Sequence, residues 1–310
     1  MENQRFVRSK GLTIDHVFDV LNTIFMLVLC ILILYPLYYV LVASFTEPNI
    51  VNSGKFLLYP EQPFLDGYSK LMSYQPIWHG YANTILYTLT GTAISMVVTI
   101  PAAYALSRQD LFGRKVFSLM FTFTMFFSGG IIPMFLLLKQ IHLYNTIWAV
   151  TVPFCVSVFN LIVCRTFFET NIPGELLDAA VVDGCSDFRF FFQIVLPIST
   201  TIIAVMILFY STAIWNNYMR SLMYLVDDSK MPLQIILRRL ILINTANSSI
   251  YTDPGELAVR NKLAQQLRFC IIVVSAAPLL IAYEHEISSE DGSFLVRYRD
   301  AALAAKRLVK

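Results

Sequence analysis

The sequence contains little charge for its length. Only 14% of its 310 residues are Asp, Glu, Lys or Arg, whereas 56% are hydrophobic; a soluble domain usually has about 25% charged residues. The formal net charge is +2, and no run of Lys and Arg has the pattern of a nucleic-acid-binding surface, so nucleic acid is not expected as a partner. The charges lie in short clusters between long uncharged runs, which is typical of a membrane protein.

The sequence also lacks the side-chain patterns of cofactor, metal and catalytic sites. Its five cysteines form no Cys-x-x-Cys pair, and its four histidines are scattered along the chain. It has no glycine-rich phosphate loop ending in Gly-Lys-Ser or Gly-Lys-Thr, so ATP binding through that motif is not expected. We therefore predict no catalytic residue, no metal site and no cofactor, and the chain is not expected to be an enzyme.

Five uncharged runs are long enough to cross a bilayer, which requires about 20 apolar residues in a helix. They are residues 20–46, 71–107, 116–138, 140–164 and 190–219. A sixth run, 269–283, reaches that length only if Leu263–Arg268 belongs to the same helix. The first run is too long for the apolar part of a signal peptide, which is about 7–15 residues. The sequence thus predicts an all-α membrane protein of six transmembrane helices.

Lysine and arginine are concentrated on one predicted side of the membrane. They lie in the N-terminal segment, in the loops 108–115 and 165–189, and in the C-terminal tail. On the other side, the loops after the first and third spans hold only Lys55, Lys70 and Lys139. The long segment 220–268 holds seven more, but long loops carry little topological weight. Because cytoplasmic loops are enriched in these residues, both termini are predicted to be cytoplasmic.

The predicted spans divide the chain into three parts. Residues 1–17 form a cytoplasmic N-terminal segment, residues 18–283 form the six-span transmembrane domain, and residues 284–310 form a cytoplasmic tail. Within the transmembrane domain, residues 172–193 form a cytoplasmic loop.

Several predicted spans contain helix-breaking residues, most clearly Gly129, Gly130 and Pro133 in the third span. Such breaks are frequent as packing kinks, but broken helices also line transport pathways. Polar and aromatic side chains near span ends could line a pathway too, although Tyr and Trp there are more often anchors at the membrane interface. The candidate pathway-lining residues are Asn83, Gly129, Gly130, Tyr210, Trp215 and Asn216.

The loop between the fourth and fifth spans has the pattern of two short helices joined by a turn. Its sequence, IPGELLDAAVVDGCSDFRFFFQIVLP, covers residues 172–197. Pro173 can open a helix, and Gly184 can end it by adopting a positive φ. Ser186 or Asp187 can then cap the second helix.

The first of these helices, 175–182, is predicted to dock on a partner protein. Leu176, Leu177, Ala180 and Val181 fall on one side of it, so the helix is amphipathic. The alternative is a solvated loop, which does not need so many apolar residues. The small residues that would let another backbone approach are Ala179 and Ala180, and the acidic residues around them are Glu175, Asp178, Asp183 and Asp187.

This loop resembles the signature of the inner-membrane permeases of binding-protein-dependent ABC importers. That signature is Glu-Ala-Ala, three residues, Gly, nine residues and Ile-x-Leu-Pro. Here Asp178 opens the first triplet in place of Glu, Gly184 falls at the required spacing, and Ile194–Pro197 closes the motif. The resemblance covers roughly residues 15–283, and the segment 215–242 is similar to the carbohydrate-uptake branch, which includes permeases for maltose and other oligosaccharides.

The resemblance implies the type I ABC importer permease fold and a role in ATP-driven import of a solute, a sugar or an oligosaccharide. It also implies a multi-pass position in the bacterial cell membrane, in contact with membrane lipid. The implied partners are a second permease subunit, two ATP-binding cassette ATPase subunits and an extracytoplasmic solute-binding protein. The residues implied to couple the loop to an ATPase subunit are Glu175, Asp178, Ala179, Ala180, Gly184, Ile194, Leu196 and Pro197.

The residues alone leave two other classes of function open: an ion-coupled secondary carrier, and a membrane-embedded enzyme or assembly protein. An ion-coupled carrier often has Asp, Glu, Lys or Arg inside its spans. The uncharged runs of this chain contain none. This disfavours the carrier without excluding it, because neutral oxygen atoms can also coordinate sodium.

The predicted tail departs from the family, whose members in the carbohydrate branch usually end soon after the sixth span. Four acidic residues lie between Glu284 and Asp291, before a basic, helix-prone end. Three interpretations stay open: sequence drift in a solvated tail, a frameshift or recombination, and a regulatory or docking helix. We predict low order for 286–296, and we expect deletion of 286–310 to leave membrane insertion and assembly intact.

Overall fold

The structure, a computed structural model, describes residues 12–55, 57–246, 262–278 and 280–281. Within these residues the chain is helical, and the only strand-like pairing is a single antiparallel bridge between Thr46 and Pro63. The α-helices are α1 Leu12–Phe45, α2 Pro48–Asn52, α3 Asp66–Ser73, α4 Gln75–Ser107, α5 Arg114–Phe126, α6 Ile131–Gln140, α7 Ile147–Thr151, α8 Val158–Asn171, α9 Gly174–Val182, α10 Asp187–Phe190, α11 Leu196–Ile198, α12 Thr200–Trp215, α13 Met219–Tyr224, α14 Leu233–Ala246 and α15 262–278. Short 3-10 turns cover Val152–Phe154 and Asp228–Lys230, and a π-helical turn covers Phe191–Val195.

Two described helices are each long and apolar enough to cross a membrane. They are α1 from His16 to Phe45 and α4 from Gln75 to Ser107, and they coincide with the first two predicted spans. Pro36 lies inside α1 and Pro101 lies inside α4. Neither proline ends its helix, so both behave as the tolerated prolines of membrane helices.

Three helix pairs that meet at a bend are long and apolar enough to cross a membrane if the two helices of each pair are taken together. The angle is 111° between α5 and α6, 46° between Ile147–Phe154 and α8, and 80° between Asp187–Ile198 and α12. If each pair is one span, the described residues contain up to five spans. The sixth predicted span falls on α15 and on residues 279–283, of which only 280–281 are described, so the number six stays a prediction.

The chain forms two compact units. The first consists of Met1–Leu71 with Ile243–Val274. Its core contains the buried residues Val42, Ala43, Val51 and Leu57, against which Tyr39, Ile50 and Phe269 pack. Along α1, the side chains of residues 16–34 are all exposed in the single chain, which suits contact with lipid or with another membrane subunit.

A buried glutamine of α15 organises the polar contacts of this first unit. Gln266 is 1% exposed. Its Nε2 donates to the carbonyl oxygen of Ser44 at 3.1 Å and to that of Phe64. Its Oε1 accepts from the backbone N–H of Gly67 at 2.7 Å. These bonds satisfy polar groups that would otherwise be buried without partners.

The second unit consists of Met72–Leu242 with Ser275–Lys310. In it α4 packs mainly against α12 and α8. Gly91 permits the close approach of α12, because a Cβ atom there would lie 2.8 Å from Cδ1 of Ile214. The buried core residues are Ile100, Ala103, Leu106, Leu161, Cys164, Phe168, Ala180, Phe190, Phe191, Val195, Ile202, Met206 and Tyr210. We call this set the inner core.

Several predictions concern residues outside the described ranges. The tail, 284–310, lies outside them, as does the N-terminal segment up to residue 11. The predicted division of the chain into 1–17, 18–283 and 284–310 therefore stays a prediction.

Candidate functional site

The loop of residues 172–197, here called the signature loop, begins with a helix of two and a half turns. Pro173 is extended, with φ −63° and ψ 142°, and α9 follows it directly. Glu175 lies in the first turn, where a carboxylate interacts favourably with the helix dipole. The helix therefore starts where the proline was expected to open it.

The helix ends in a Schellman motif at Gly184, whose φ is +71°. The backbone N–H of Cys185 donates to the carbonyl of Ala180 at 2.9 Å, and the N–H of Gly184 donates to that of Val181 at 3.0 Å. These two bonds satisfy carbonyls that the helix end would leave without partners. The positive φ predicted for Gly184 is confirmed.

The second half of the signature loop turns the chain into α12. Ser186 caps α10, since its side chain accepts from the backbone N–H of Arg189 at 3.4 Å. Ile194 and Leu196 pack against the inner core, whereas Pro197 is exposed. The chain then bends by 80° before α12, so the fifth predicted span is a helix of 16 residues preceded by an elbow.

The two sides of α9 have different neighbours. Ala180 is 6% exposed and belongs to the inner core, and Leu177 packs against the same core. On the other side Leu176 is 37% exposed and Val182 is 87% exposed. The acidic residues of α9 and its end, Glu175, Asp178 and Asp183, are exposed, as is Ala179.

This arrangement corrects two expectations about the helix. We expected Ala180 to let another protein approach, but its small side chain instead lets α9 pack on this chain's own core. We also expected Leu176 and Val181 to share one face with Leu177 and Ala180, yet Val181 is 60% exposed. The reason is that α9 is apolar on more than one side, so only part of its apolar surface can face the core.

An ion-pair cluster ties the signature loop to the end of α4. Arg108 pairs with Asp187 of α10 at 3.3 Å and with Asp110 at 2.6 Å, and it donates to the hydroxyl of Tyr104 at 3.2 Å. The hydrogen bonds from Arg108 lower the pKa of the Asp110 carboxyl below its usual value. Asp110 is therefore ionised at neutral pH.

A second group of charges joins the start of α5 to α8. Glu169 pairs with Arg114 and with Arg165 at 2.9 Å. Arg114 also donates to the carbonyl of Leu106 at 2.9 Å, near the end of α4. Arg165 donates to the hydroxyl of Ser118 at 3.0 Å. One carboxylate thus holds the ends of three helices together.

A cavity of about 840 Å³ lies between these charges and α9. Its walls include apolar side chains of α9 together with the ion-paired residues. Residues that line it include Tyr104, Arg108, Glu169, Leu177, Asp178 and Val181. The part of the chain that the structure describes holds no group of three or more His, Cys, Asp or Glu residues suited to a metal ion.

Three of the candidate pathway residues make contacts within this chain. Asn83 donates to the carbonyls of Ser229 and Met231 at 2.8 and 3.1 Å. The hydroxyl of Tyr210 lies 2.7 Å from the hydroxyl of Thr99 and accepts from the N–H of Ser157. These bonds fix helices and loops to one another.

Trp215 also has an internal role. It is 6% exposed, and its indole N–H donates to the carbonyl of Ser275 at 3.1 Å. Tyr210 is likewise buried, at 3% exposure. Within the single chain, neither ring faces an open path.

The other three candidates are exposed. Asn216 ends α12, and its backbone N–H donates to the carbonyl of Thr212 at 3.1 Å. Gly129 and Gly130 lie at the 111° bend between α5 and α6, where Gly130 has φ +83°.

Sequence reasoning missed the two charge clusters. Arg165 and Glu169 are four residues apart on a helix, which is a recognisable pairing pattern. The pairs of Arg108 with Asp187 and of Arg114 with Glu169 join residues 79 and 55 positions apart. No sequence signal identifies such partners.

Comparison with known proteins gives relatives for nearly the whole chain, although no family model matches it. The chain is 37% identical over 270 residues to the polygalacturonan/rhamnogalacturonan transport system permease protein YtcP of Bacillus subtilis, covering 87% of this chain and 93% of the relative. It is 33% identical over 267 residues to protein LplC of the same organism, covering 86% and 89%.

A solved structure is similar over the same extent. It is the crystal structure of a bacterial ABC transporter involved in the import of the acidic polysaccharide alginate. The TM-score is 0.75 at 28% sequence identity, and the match covers 89% of this chain and 96% of that chain.

Proposed function

Since this chain belongs to the family of membrane permeases that serve sugar-importing ABC transporters, we propose that its solute is a saccharide. A polygalacturonan/rhamnogalacturonan permease and an alginate importer are among the proteins similar to it. In this proposal an extracytoplasmic binding protein delivers the saccharide. The pathway forms between this chain and a second permease subunit.

The proposal places the chain in the bacterial cell membrane with both termini in the cytoplasm. The distribution of Lys and Arg supports this orientation. The signature loop then faces the cytoplasm. Two ATPase subunits hydrolyse ATP there, and this chain contributes no catalytic residue.

The observation that supports coupling is the exposed face of α9. Val182 is 87% exposed and Leu176 is 37% exposed, with the carboxylate of Glu175 on the same helix and that of Asp183 directly after it. Exposed apolar side chains rimmed by charged ones are typical of a protein-binding surface. We propose that this face docks in a cleft of an ATPase subunit that supplies apolar contacts and basic side chains.

The buried side of α9 provides a route from that docking face to the spans. Ala180 packs in the same core as Ala103 of α4 and Leu161 of α8. Arg108 adds an ion pair between α10 and the end of α4. When ATP draws the ATPase subunits together, movement of α9 is passed to α4 and α8 as a rigid displacement.

The experiment that tests docking compares Val182→Glu with the control Leu58→Glu, which changes an exposed apolar residue outside the signature loop, 60% exposed. Val182→Glu places a charge in the proposed apolar contact, where it loses its water. We expect it to reach the membrane normally but to reduce co-purification of the ATPase by about tenfold or more, with loss of ATP-dependent uptake. Leu58→Glu should retain both co-purification of the ATPase and ATP-dependent uptake.

The result that overturns coupling is full ATPase binding and full uptake in Val182→Glu. A separate measurement addresses the ion-coupled carrier. Uptake should stop when ATP is depleted and should persist when ion gradients are collapsed. The opposite pattern would favour the carrier.

A further inference from the structure

An arginine without an acidic partner lies beside the break in the fourth predicted span. Arg220, in α13, is half-buried, and its guanidinium carbon lies 4.1 Å from the centroid of the Phe154 ring. Phe154 closes the 3-10 turn that precedes the 46° bend before α8. The same ring stacks against Tyr224, with centroids 6.0 Å apart. The guanidinium therefore lies over an aromatic ring at a helix break.

No carboxylate in the described part of the chain forms an ion pair with Arg220. Burial lowers the pKa of its guanidinium, because loss of water disfavours the charged form. Buried arginines are almost always paired, and three partly buried arginines of this chain form ion pairs. They are Arg108, Arg114 and Arg165. Arg220 thus has hydrogen-bond donors available for an anion from outside the chain.

A second arginine, which is exposed, lies over the ring of a neighbouring residue. The guanidinium carbon of Arg238 is 4.5 Å from the centroid of the Tyr218 ring, and no described carboxylate pairs with it. Its neighbour Arg239 pairs instead with Asp228 at 2.5 Å. The short segment 218–220 therefore takes part in two arginine–aromatic pairs, both without an acid.

We propose that Arg220 binds a carboxylate group of the saccharide, so that the imported solute is an acidic oligosaccharide. A guanidinium offers paired N–H donors that match a carboxylate, and an aromatic surface fixes its plane. The predicted orientation puts α13 on the outer side, where a binding protein releases its solute. Broken helices are common at such sites. This inference rests on the proposed function.

Two other anions could occupy the same donors. One is the phosphate of an anionic lipid, and the other is a carboxylate of the second permease. The experiment must distinguish binding of these two anions from binding of the saccharide carboxylate. It uses the complete transporter, with its partner subunits and binding protein, in proteoliposomes loaded with ATP.

The measurement is the uptake of two matched probes, a galacturonate trisaccharide and its fully methyl-esterified form. We expect Arg220→Gln to lower uptake of the acid form by about tenfold and to change uptake of the ester by less than about twofold. Arg220→Lys keeps the charge, so its uptake of the acid form should lie between that of the wild type and that of Arg220→Gln. Arg239→Gln, at the neighbouring paired arginine, should leave both uptakes unchanged. The binding protein is the same throughout, so its own selectivity cancels in these comparisons.

Several results would overturn the inference. Equal effects of Arg220→Gln on both probes would show that Arg220 does not bind the carboxylate of the saccharide. A defect seen with vesicles containing phosphatidylglycerol and absent in phosphatidylcholine alone would assign the donors to lipid. Loss of the second permease from the purified complex would assign them to that subunit, and Arg220→Lys would then restore assembly.

The proposed function fails separately from this inference. If the wild-type complex imports neutral oligosaccharides with ATP but not the acid probe, it is a saccharide permease and the acidic class is wrong. If ATP drives the uptake of no saccharide, both are wrong.

Discussion

Gly184 is limited by its backbone conformation and not by its surroundings. Its φ is +71°, and a Cβ atom added there would meet nothing within 4 Å. A side chain would fit, but the left-handed conformation disfavours any residue with a Cβ, and β-branched residues most. The residue therefore fixes the direction in which the chain leaves α9.

We predict that Gly184→Val costs on the order of 1 kcal/mol or more in the local turn. The variant should reach the membrane at normal levels and lose ATP-driven uptake, because the turn sets the angle between α9 and α10. Gly174→Ala is the control, since that glycine has equal space and no positive φ. Uptake and ATPase activity of the reconstituted complex provide the measurement. Wild-type uptake by Gly184→Val would show that the turn is not part of coupling.

At the scale of the elements, helix ends meet through shared charges. Glu169 is bonded to Arg114 and Arg165, whose side chains are each 26% exposed. α4, α5 and α8 come together there, and Arg108 links the same region to α10. Such partly buried charges are costly to leave unpaired.

We predict that Glu169→Gln lowers the free energy of unfolding by about 1–3 kcal/mol, because two partly buried arginines lose their shared carboxylate. Asp66→Asn is the control. Asp66 is exposed, makes no ion pair with any described residue and lies outside the signature loop, so its effect should stay within about 0.5 kcal/mol. Thermal unfolding of the purified complex measures the difference. Equal melting temperatures for the two variants would show that the ion-pair cluster around Glu169 does not stabilise the fold.

At the scale of the whole molecule, the alternation of apolar runs and charged loops predicts which loops share a side of the membrane. Reporter fusions after Ser107 and after Glu169 should score cytoplasmic, and fusions near Glu61 and Asp228 should score external. The physical reason is that Lys and Arg cluster in the predicted inner loops. A cytoplasmic score at Asp228 would mean that α12 does not cross the membrane.

Much of the signature loop was accessible from sequence because its determinants are local. Pro173 precedes α9, Gly184 ends it with a positive φ, and Ser186 caps α10. Each effect depends on a residue and its neighbours within one or two turns. The same locality made the first two spans, α1 and α4, predictable in position.

The side of α9 that faces the core was not accessible, because the helix is apolar on more than one side. Ala180 was expected to face a partner and is buried in this chain. Likewise, Tyr210 and Trp215 were candidates for a pathway and are buried in hydrogen-bonded positions. Choosing between two apolar faces requires knowledge of what lies opposite each one.

The class of this protein follows from features that act over a few residues: apolar runs of bilayer length, the Lys and Arg residues in the loops between them, and the turns of the signature loop. Which charges pair, in contrast, follows from the packed helices. Arg108 and Arg114 find partners far along the chain, whereas Arg220 finds an aromatic ring and no described acid. Ion pairing depends on distances of a few ångströms between side chains, and those distances exist only after the helices have packed.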